Sequence, residues 1–330
     1  MNTVRTMRDV LRRHPLFGYA ARRIGIAVVL LVVVSILIFV ATQILPGDAA
    51  DTILGRSATA AQKAILRRQL GLDRPWPAQY WSWISGVLSG NLGHSFGSDE
   101  PVTAFIGARL TNSLALAAAA LVFLVPVSLI LGTIAGVRRG RAADHVISGL
   151  SLALIALPEF VTGTILALLF GITFAILPPT SIIPSGSGPL TDPRILVLPA
   201  LTLCLAGAAY IIRMLRAGVV EAMASDYVQA ARLNGVPEGR VIVWHALRNA
   251  LAPTVQVVAL TVQWLIGGIV VVESVFSYPG LGQGLVASVT ARDIPVVQAL
   301  TLLIAATYIV LNLIADMIVI LLVPKLRTTL

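Results

Sequence analysis

Of the 330 residues, 57% are hydrophobic and 12% are charged, and the mean hydropathy is +0.90. Soluble domains carry about 25% charged residues, so this composition excludes an ordinary water-soluble globule and implies a polytopic membrane protein. The formal net charge of +9 does not mark a nucleic-acid surface, because the basic residues stand at the ends of apolar runs and are not interleaved with base-stacking aromatics.

The chain opens with a basic tail, residues 1–23, carrying Arg5, Arg8, Arg12, Arg13, Arg22 and Arg23. The apolar run that follows, 24–45, is longer than the ~7–15 residues of a signal-peptide core and lacks a small-residue cleavage site, so it is read as an uncleaved first transmembrane helix. A long polar loop fills 46–112. In it, Thr59 and Gln62 have capping-box spacing and open a helix that Gly71 closes. After Pro75 and Pro77, a second helix carries Tyr80, Trp81 and Trp83. With Trp76 these tryptophans read either as anchors at the membrane interface or as a docking surface for a partner.

Residues 113–323 hold five further apolar runs, at Ser113 to Val137, Val146 to Leu177, Ile195 to Ile212, Pro253 to Val275 and Val296 to Val323. The fold class is thus all-α, a polytopic membrane protein with six transmembrane helices and a short tail at 324–330. Pro158 breaks the third run from within. Gly132 and Gly136 in the second allow close helix packing. Arg138, Arg139 and Arg141 follow the second run, Arg213, Arg216, Arg232, Arg240 and Arg248 the fourth, and Lys325 and Arg327 the last. The two short loops on the other side hold Arg194 and Arg292 only, so the positive-inside rule predicts that both termini are cytoplasmic.

The largest cytoplasmic connector, 217–252, carries its own helix signals. Asp226 and Gln229 have capping-box spacing, Gly235 and Pro237 close a helix of about eight residues, and a second helix starts at Pro237 and Glu238 and runs through Val241, Trp244 and Leu247 into the next span. A helix this short is marginal alone and needs a surface to rest on.

The order Gln229-Ala230-Ala231, Gly235, Leu251-Ala252-Pro253 resembles the EAA loop of the membrane subunits of ATP-driven (ABC) importers. ILPGD at Ile44 to Asp48, LGLDRPWPAQY at Leu70 to Tyr80, SGNLGHSFGSDEPV at Ser89 to Val102 and ESVFSYPGLGQGLVASVTARDIPVVQA at Glu273 to Ala299 resemble dipeptide and oligopeptide ABC permeases. The likeness runs from about Arg22 to Arg327. Gln229 stands where the EAA glutamate belongs, and Val323-Pro324-Lys325 where Asp-Pro-Arg is usual. The resemblance implies a type I importer fold in the bacterial inner membrane. It also implies that Asp226, Tyr227, Gln229, Ala230, Ala231 and Gly235 couple to the ATPase. The implied partners are a second homologous permease subunit forming a heterodimer, two cytoplasmic ABC ATPases, an extracytoplasmic substrate-binding protein and the lipid bilayer. ATP and Mg would be bound by the ATPase and not by this chain, which would have no cofactor, no metal and no catalytic residue.

Enzyme chemistry is hard to find in the sequence. Gly93-His94-Ser95-Phe96-Gly97 has the Gly-x-Ser-x-Gly spacing of a nucleophile elbow, but no strand leads into it and the stretch reads as a water-exposed turn. There is no Gly-x-x-x-x-Gly-Lys-Ser/Thr phosphate loop, and His14, His94, His145 and His245 have no metal-ligand spacing. Carboxylates and amides at membrane depth cost energy, and this makes Glu159, Gln256, Gln263 and Glu273 candidates for a substrate pathway. A structural helix-to-helix hydrogen bond is the other reading of Glu159 and, in the last span, of Asn312 and Asp316. An ion-coupled secondary transporter using Glu159, Glu273 and Asp316, and an intramembrane serine hydrolase built on Ser95, are the alternatives to an importer permease.

Overall fold

The computed structural model describes residues 15–44, 53–54, 58–69, 71–184 and 186–322. Arg5, Arg8, Arg12, Arg13 and His14, ILPGD beyond Ile44, Leu70, Val323-Pro324-Lys325 and Arg327 lie outside the described residues. The described elements are helical: α1 Pro15–Ile44, α2 Ala60–Gln69, α3 Trp76–Leu88, α4 Val102–Val137, α5 Ala142–Ala156, α6 Glu159–Leu166, α7 Arg194–Met223, α8 Asp226–Leu233, α9 Arg248–Val275, α10 Leu281–Ala291 and α11 Ile294–Leu322. π-helical stretches at Ala167–Thr173 and Val241–Leu247 extend α6 and lead into α9. Among the described residues five helices are long and apolar enough to cross a membrane, or six if the bent pair α5 and α6 is one span.

Contacts divide the chain into two units, Met1–Ser113 with Pro279–Leu313, and Leu114–Tyr278 with Ile314–Leu330. In the first unit, α1 carries α3 along its last turns. Phe39 meets the rings of Tyr80 and Trp83 at 5.6 and 6.2 Å, Ser35 and Tyr80 share a 2.9 Å hydrogen bond, and Gln43 donates to Gln79 at 3.0 Å. Thr59 and Gln62 form the expected capping box, with the Thr59 amide donating to Gln62 Oε1 at 2.9 Å. At the other end of α2, Gly71 closes the helix at φ +69°. A second cluster is made by Val102, Ile106, Leu281, Val296, Ala299 and Leu300.

Helix α4 starts eleven residues before its apolar run, because its polar first turns find partners. Arg109 Nη1 donates to Gln283 Oε1 at 2.8 Å and to the Gly280 carbonyl, and its guanidinium lies 4.3 Å over the Phe105 ring. Asn112 Nδ2 donates to the Pro279 carbonyl, and Ser113 Oγ accepts the Leu281 amide, both at 2.8 Å. These bonds seat α10, an element that the apolar runs alone do not separate.

The second unit is organised on α7. Of its apolar window 78% is buried, whereas only 17–28% is buried in the other four spans. Leu198, Leu203 and Ile211 of α7 form the centre of a core with Leu116, Leu124, Val272 and Phe276. Small residues set the approach: a Cβ at Gly136 would lie 2.6 Å from Val219 Cβ, and one at Gly132 would lie 3.0 Å from Leu215 Cβ. The third run is broken where Pro158 predicts, into two helices bent by 111°, with Pro158 as the N-cap of α6. Proline has no amide to donate and disfavours a helical residue before it, so Leu157 turns extended and the helix restarts.

Candidate functional site

The connector between α7 and α9 folds as its sequence predicts at one end and differently at the other. The N-cap of α8 is Ser225, not Asp226, and no side chain caps the helix. Ser225 Oγ turns back to the Ala222 carbonyl, and Asp226 occupies the first turn, where a carboxylate favours the helix dipole. The Asp226/Gln229 capping box therefore does not form. At the C-terminal end Gly235 adopts φ +75°, its amide donates to Arg232 O at 2.9 Å, and the Val236 amide donates to Ala231 O at 3.1 Å. That pair of bonds is a Schellman closure. Pro237 caps the next helical turn, Glu238–Arg240, which continues through the π-helical stretch into α9 without a break.

Two contacts fix α8 to its own chain. Val228 and Ala231 are buried against Val241, with Met223 and Val236 around them. Arg232 forks onto Glu238 with bonds of 3.1 and 2.6 Å, and the guanidinium holds the Glu238 carboxyl below the usual glutamate range. The carboxylate form, and with it the pair, therefore persists from neutral pH down through the range in which an ordinary glutamate protonates. The pair is solvent-exposed and contributes little stability.

The outer face of α8 remains bare. Asp226, Tyr227, Gln229 and Ala230 are exposed and Leu233 is 89% exposed, an unusual state for a leucine on a helix held at both ends. Ala231, grouped with these residues by sequence, points the other way. Below the connector, His245 sits in the π-helical stretch with a buried Nδ1 that has no hydrogen-bond partner among the described residues.

The four polar candidates within the spans all lie in the second unit. Glu159 is half-buried at the first position of α6, directly after the break. Gln256 and Gln263 are seven residues apart on α9 and share a face, Gln256 half-buried and Gln263 buried. Glu273 is fully buried in the chain's own packing beside Val272 and Phe276. Glu159 and Gln256 thus keep a free surface that Gln263 and Glu273 lack.

Sequence reasoning missed two long-range pairs. Asp144, buried at the start of α5, receives Arg216 Nη2 at 2.8 Å, Arg216 Nε, the Gly140 amide at 2.9 Å and Ser148 Oγ at 3.2 Å. An acid in the first turn of a helix beside a run of arginines was the available signal. In the first unit, Asp293 accepts the Ser95 hydroxyl, the Phe96 amide at 3.1 Å and the Gly97 amide at 3.4 Å. Ser95 is therefore buried, not water-exposed as its glycine-rich surroundings imply, and it spends its proton on a carboxylate while His94 is not bonded to it. A serine nucleophile needs a base beside it, and among the described residues no histidine or lysine hydrogen-bonds to Ser95.

Residues 128–328 match the family described as "Binding-protein-dependent transport system inner membrane component", and residues 16–117 match the description of its N-terminal part. The chain belongs to this permease family. The permease is 37% identical over 316 residues to a putative peptide permease protein of Brucella ovis, covering 94% of this chain and 99% of that one. It is 36% identical over 312 residues to the glutathione transport system permease protein GsiC of Pectobacterium atrosepticum, with the same coverage of 94% and 99%. A weaker likeness, 19% identity and a TM-score of 0.46 over 72% of this chain, relates it to an amino acid ABC transporter. With its apolar helices, membership makes the permease a multi-pass inner-membrane protein, the permease component of a transport system that depends on a binding protein.

Proposed function

We propose that this permease is one half of the translocation pathway of an ATP-driven importer for short peptides or glutathione-like solutes. It pairs with a second, homologous but different permease subunit. An extracytoplasmic binding protein delivers the substrate, and two cytoplasmic ATPases bind ATP and Mg. Both termini are cytoplasmic, residues 46–112 form an extracytoplasmic loop, and 113–323 form the core around the coupling segment 217–252. The relatives' names support the substrate class.

The observation that carries the coupling role is the bare face of α8, with Leu233 89% exposed on a helix fixed by a Schellman closure, an ion pair and a buried cluster. In this reading Asp226, Tyr227, Gln229 and Ala230 meet the ATPase, while Ala231 and Gly235 hold the helix in its attitude. Glu159 and Gln256 offer polar atoms to the pathway, and Gln263 and Glu273 support them from behind.

Co-purification from native membranes followed by reconstitution into vesicles tests the reading. The expected result is recovery of a second permease and an ATPase, and peptide uptake that requires ATP and the binding protein. Uptake driven by an ion gradient without ATP overturns it in favour of a secondary transporter. Cysteine placed at Ser98 labels from outside and one at Ser225 only after permeabilisation; the reverse pattern overturns the orientation.

A further inference from the structure

The first unit contains a cavity of about 320 Å³ to which the permease reading gives no role. Its walls come from the end of α1, the turn before α3, α3 itself, the loop after it and the first turns of α11. Each wall is pinned. Gln79 Nε2 donates to the carbonyls of Leu72 and Arg74 at 3.0 and 2.8 Å, and its Oε1 accepts from Gln43 at 3.0 Å. Phe39 stacks on Trp83, Gln298 Nε2 donates to Thr42 Oγ1 at 2.8 Å, and the loop is held by Phe96 N–H on Asp293. A site built this way loses little freedom on binding.

The chemistry of the lining is lopsided. Among the described residues no carboxylate lines the cavity, whereas the Arg74 guanidinium does, and within the same set it has no hydrogen-bond or ion-pair partner. Gln43 and Gln298 have committed their amide nitrogens, so their carbonyl oxygens remain as acceptors. Phe39 and Trp83 supply an apolar floor. A fixed cation, two amide acceptors and an aromatic surface match three parts of one molecule: a terminal carboxylate, backbone N–H groups and an apolar side chain. The volume stands at the low end of the ~300–1,000 Å³ typical of small-molecule sites, which suits a peptide of two or three residues.

We propose that this cavity is a binding subsite for the carboxylate end of a short peptide. Arg74 takes the carboxylate in a forked pair, and the Phe39–Trp83 floor takes the adjoining side chain. The choice of a peptide rests on the function proposed above.

The test uses the assembled importer in phosphatidylcholine nanodiscs. A Ser82→Cys variant places a thiol on an exposed wall of the cavity, and the native Cys204 is buried. The rate of its alkylation by N-ethylmaleimide is followed against alanyl-phenylalanine, the same dipeptide as its C-terminal amide, and inorganic phosphate. The free acid slows alkylation saturably, and the amide and phosphate do so far less. Arg74→Gln in the same background weakens protection by roughly tenfold to a hundredfold, the affinity equivalent of one charge-assisted pair. Arg74→Lys restores part of it, and the unprotected rate is the same in all three.

Equal protection by acid and amide, or protection indifferent to Arg74→Gln, overturns the subsite. So does a slowing that follows added phosphatidylglycerol in the absence of peptide, which assigns the cavity to a lipid headgroup. ATP-driven uptake of the dipeptide without protection overturns the subsite alone, whereas protection without uptake supports the subsite and counts against the importer's substrate class.

Discussion

Asp144 and Arg216 lie 72 positions apart in sequence and meet as a forked ion pair, with Arg216 Nη2 at 2.8 Å from Asp144 Oδ2. The carboxylate also gathers the Gly140 amide and Ser148 hydroxyl, so the turn after α4, the start of α5 and the C-terminal half of α7 are tied through one buried side chain. One turn further on, α7 meets Gly136 of α4 at Val219 and, at Gly218, Ala250 of α9. Helix α8 begins only a few residues beyond, and in the coupling role proposed for it, it would act on a clamped group of helices.

Removing one partner tests the clamp. Asp144→Ala strands a cation that is about one-third exposed and leaves the Gly140 amide without its acceptor. Breaking a buried pair costs about 3–5 kcal/mol, and the exposure of Arg216 brings the expected loss to about 2–4 kcal/mol. The solubilised permease should aggregate at a lower temperature in a fluorescence-detected size-exclusion assay. The exchange Asp144→Arg with Arg216→Asp should recover part of the loss; an unchanged melting profile in Asp144→Ala would show the pair to be idle.

Steric contact makes a separate prediction at Gly136. Its added Cβ would stand 2.6 Å from Val219 Cβ and 2.7 Å from Val219 Cγ1, so the two helix backbones must move apart. Overpacking of this kind costs about 1–3 kcal/mol. Gly136→Ala should lower the yield of folded permease, and adding Val219→Gly, which removes both Val219 Cβ and Cγ1, should restore part of it. Gly149, whose Cβ would meet nothing within 4 Å, is the control that should tolerate alanine.

What the sequence reveals and what it conceals divide along the range of the interaction. The Thr59–Gln62 box, the Gly235 closure and the break at Pro158 are local, and each follows from residue types a few positions apart. The Asp226–Gln229 box has the same spacing and fails, because Ser225 already stands in extended backbone at the helix entrance and takes the cap position. Asp144–Arg216 and Ser95–Asp293 are invisible in sequence because only tertiary packing brings such distant residues together. For the same reason the polar turns before Ser113 look like loop until Gln283, Gly280 and Pro279 are seen to satisfy Arg109 and Asn112. The candidate coupling segment was thus legible, but the inward direction of Ala231 was not, since it depends on Val241 arriving from the far side of the turn.

Glu159 separates a pathway role from a structural one. It is half-buried beside the 111° break, where an α-helix restarts with the Val161 and Thr162 amides on the Pro158 carbonyl. Glu159→Gln keeps the shape and removes the charge. If the residue faces the pathway, uptake of cationic peptides should fall more than uptake of anionic ones while the amount of assembled importer stays the same. Equal loss for both charge classes at normal assembly would assign the residue to helix packing.

Gly235 carries the sharpest prediction about coupling. Its φ of +75° is the left-handed region, and nothing lies within 4 Å of where a Cβ would stand, so a side chain there meets backbone strain and no steric obstacle. For a β-branched residue the strain is about 1–2 kcal/mol, relieved by opening the closure at Arg232 and re-aiming α8. Gly235→Val should therefore reach the membrane in normal amount, because the spans are set by hydropathy. The ATPase should then bind weakly or hydrolyse ATP without moving peptide. Ala231→Asp should behave differently: it buries a carboxylate against Val228 and Val241 and should reduce the folded protein itself. Gly235→Asn, whose side chain tolerates the left-handed region, should keep most of the uptake that Gly235→Val loses. Peptide uptake per ATP that is unchanged in Gly235→Val would remove the attitude of α8 from the coupling mechanism.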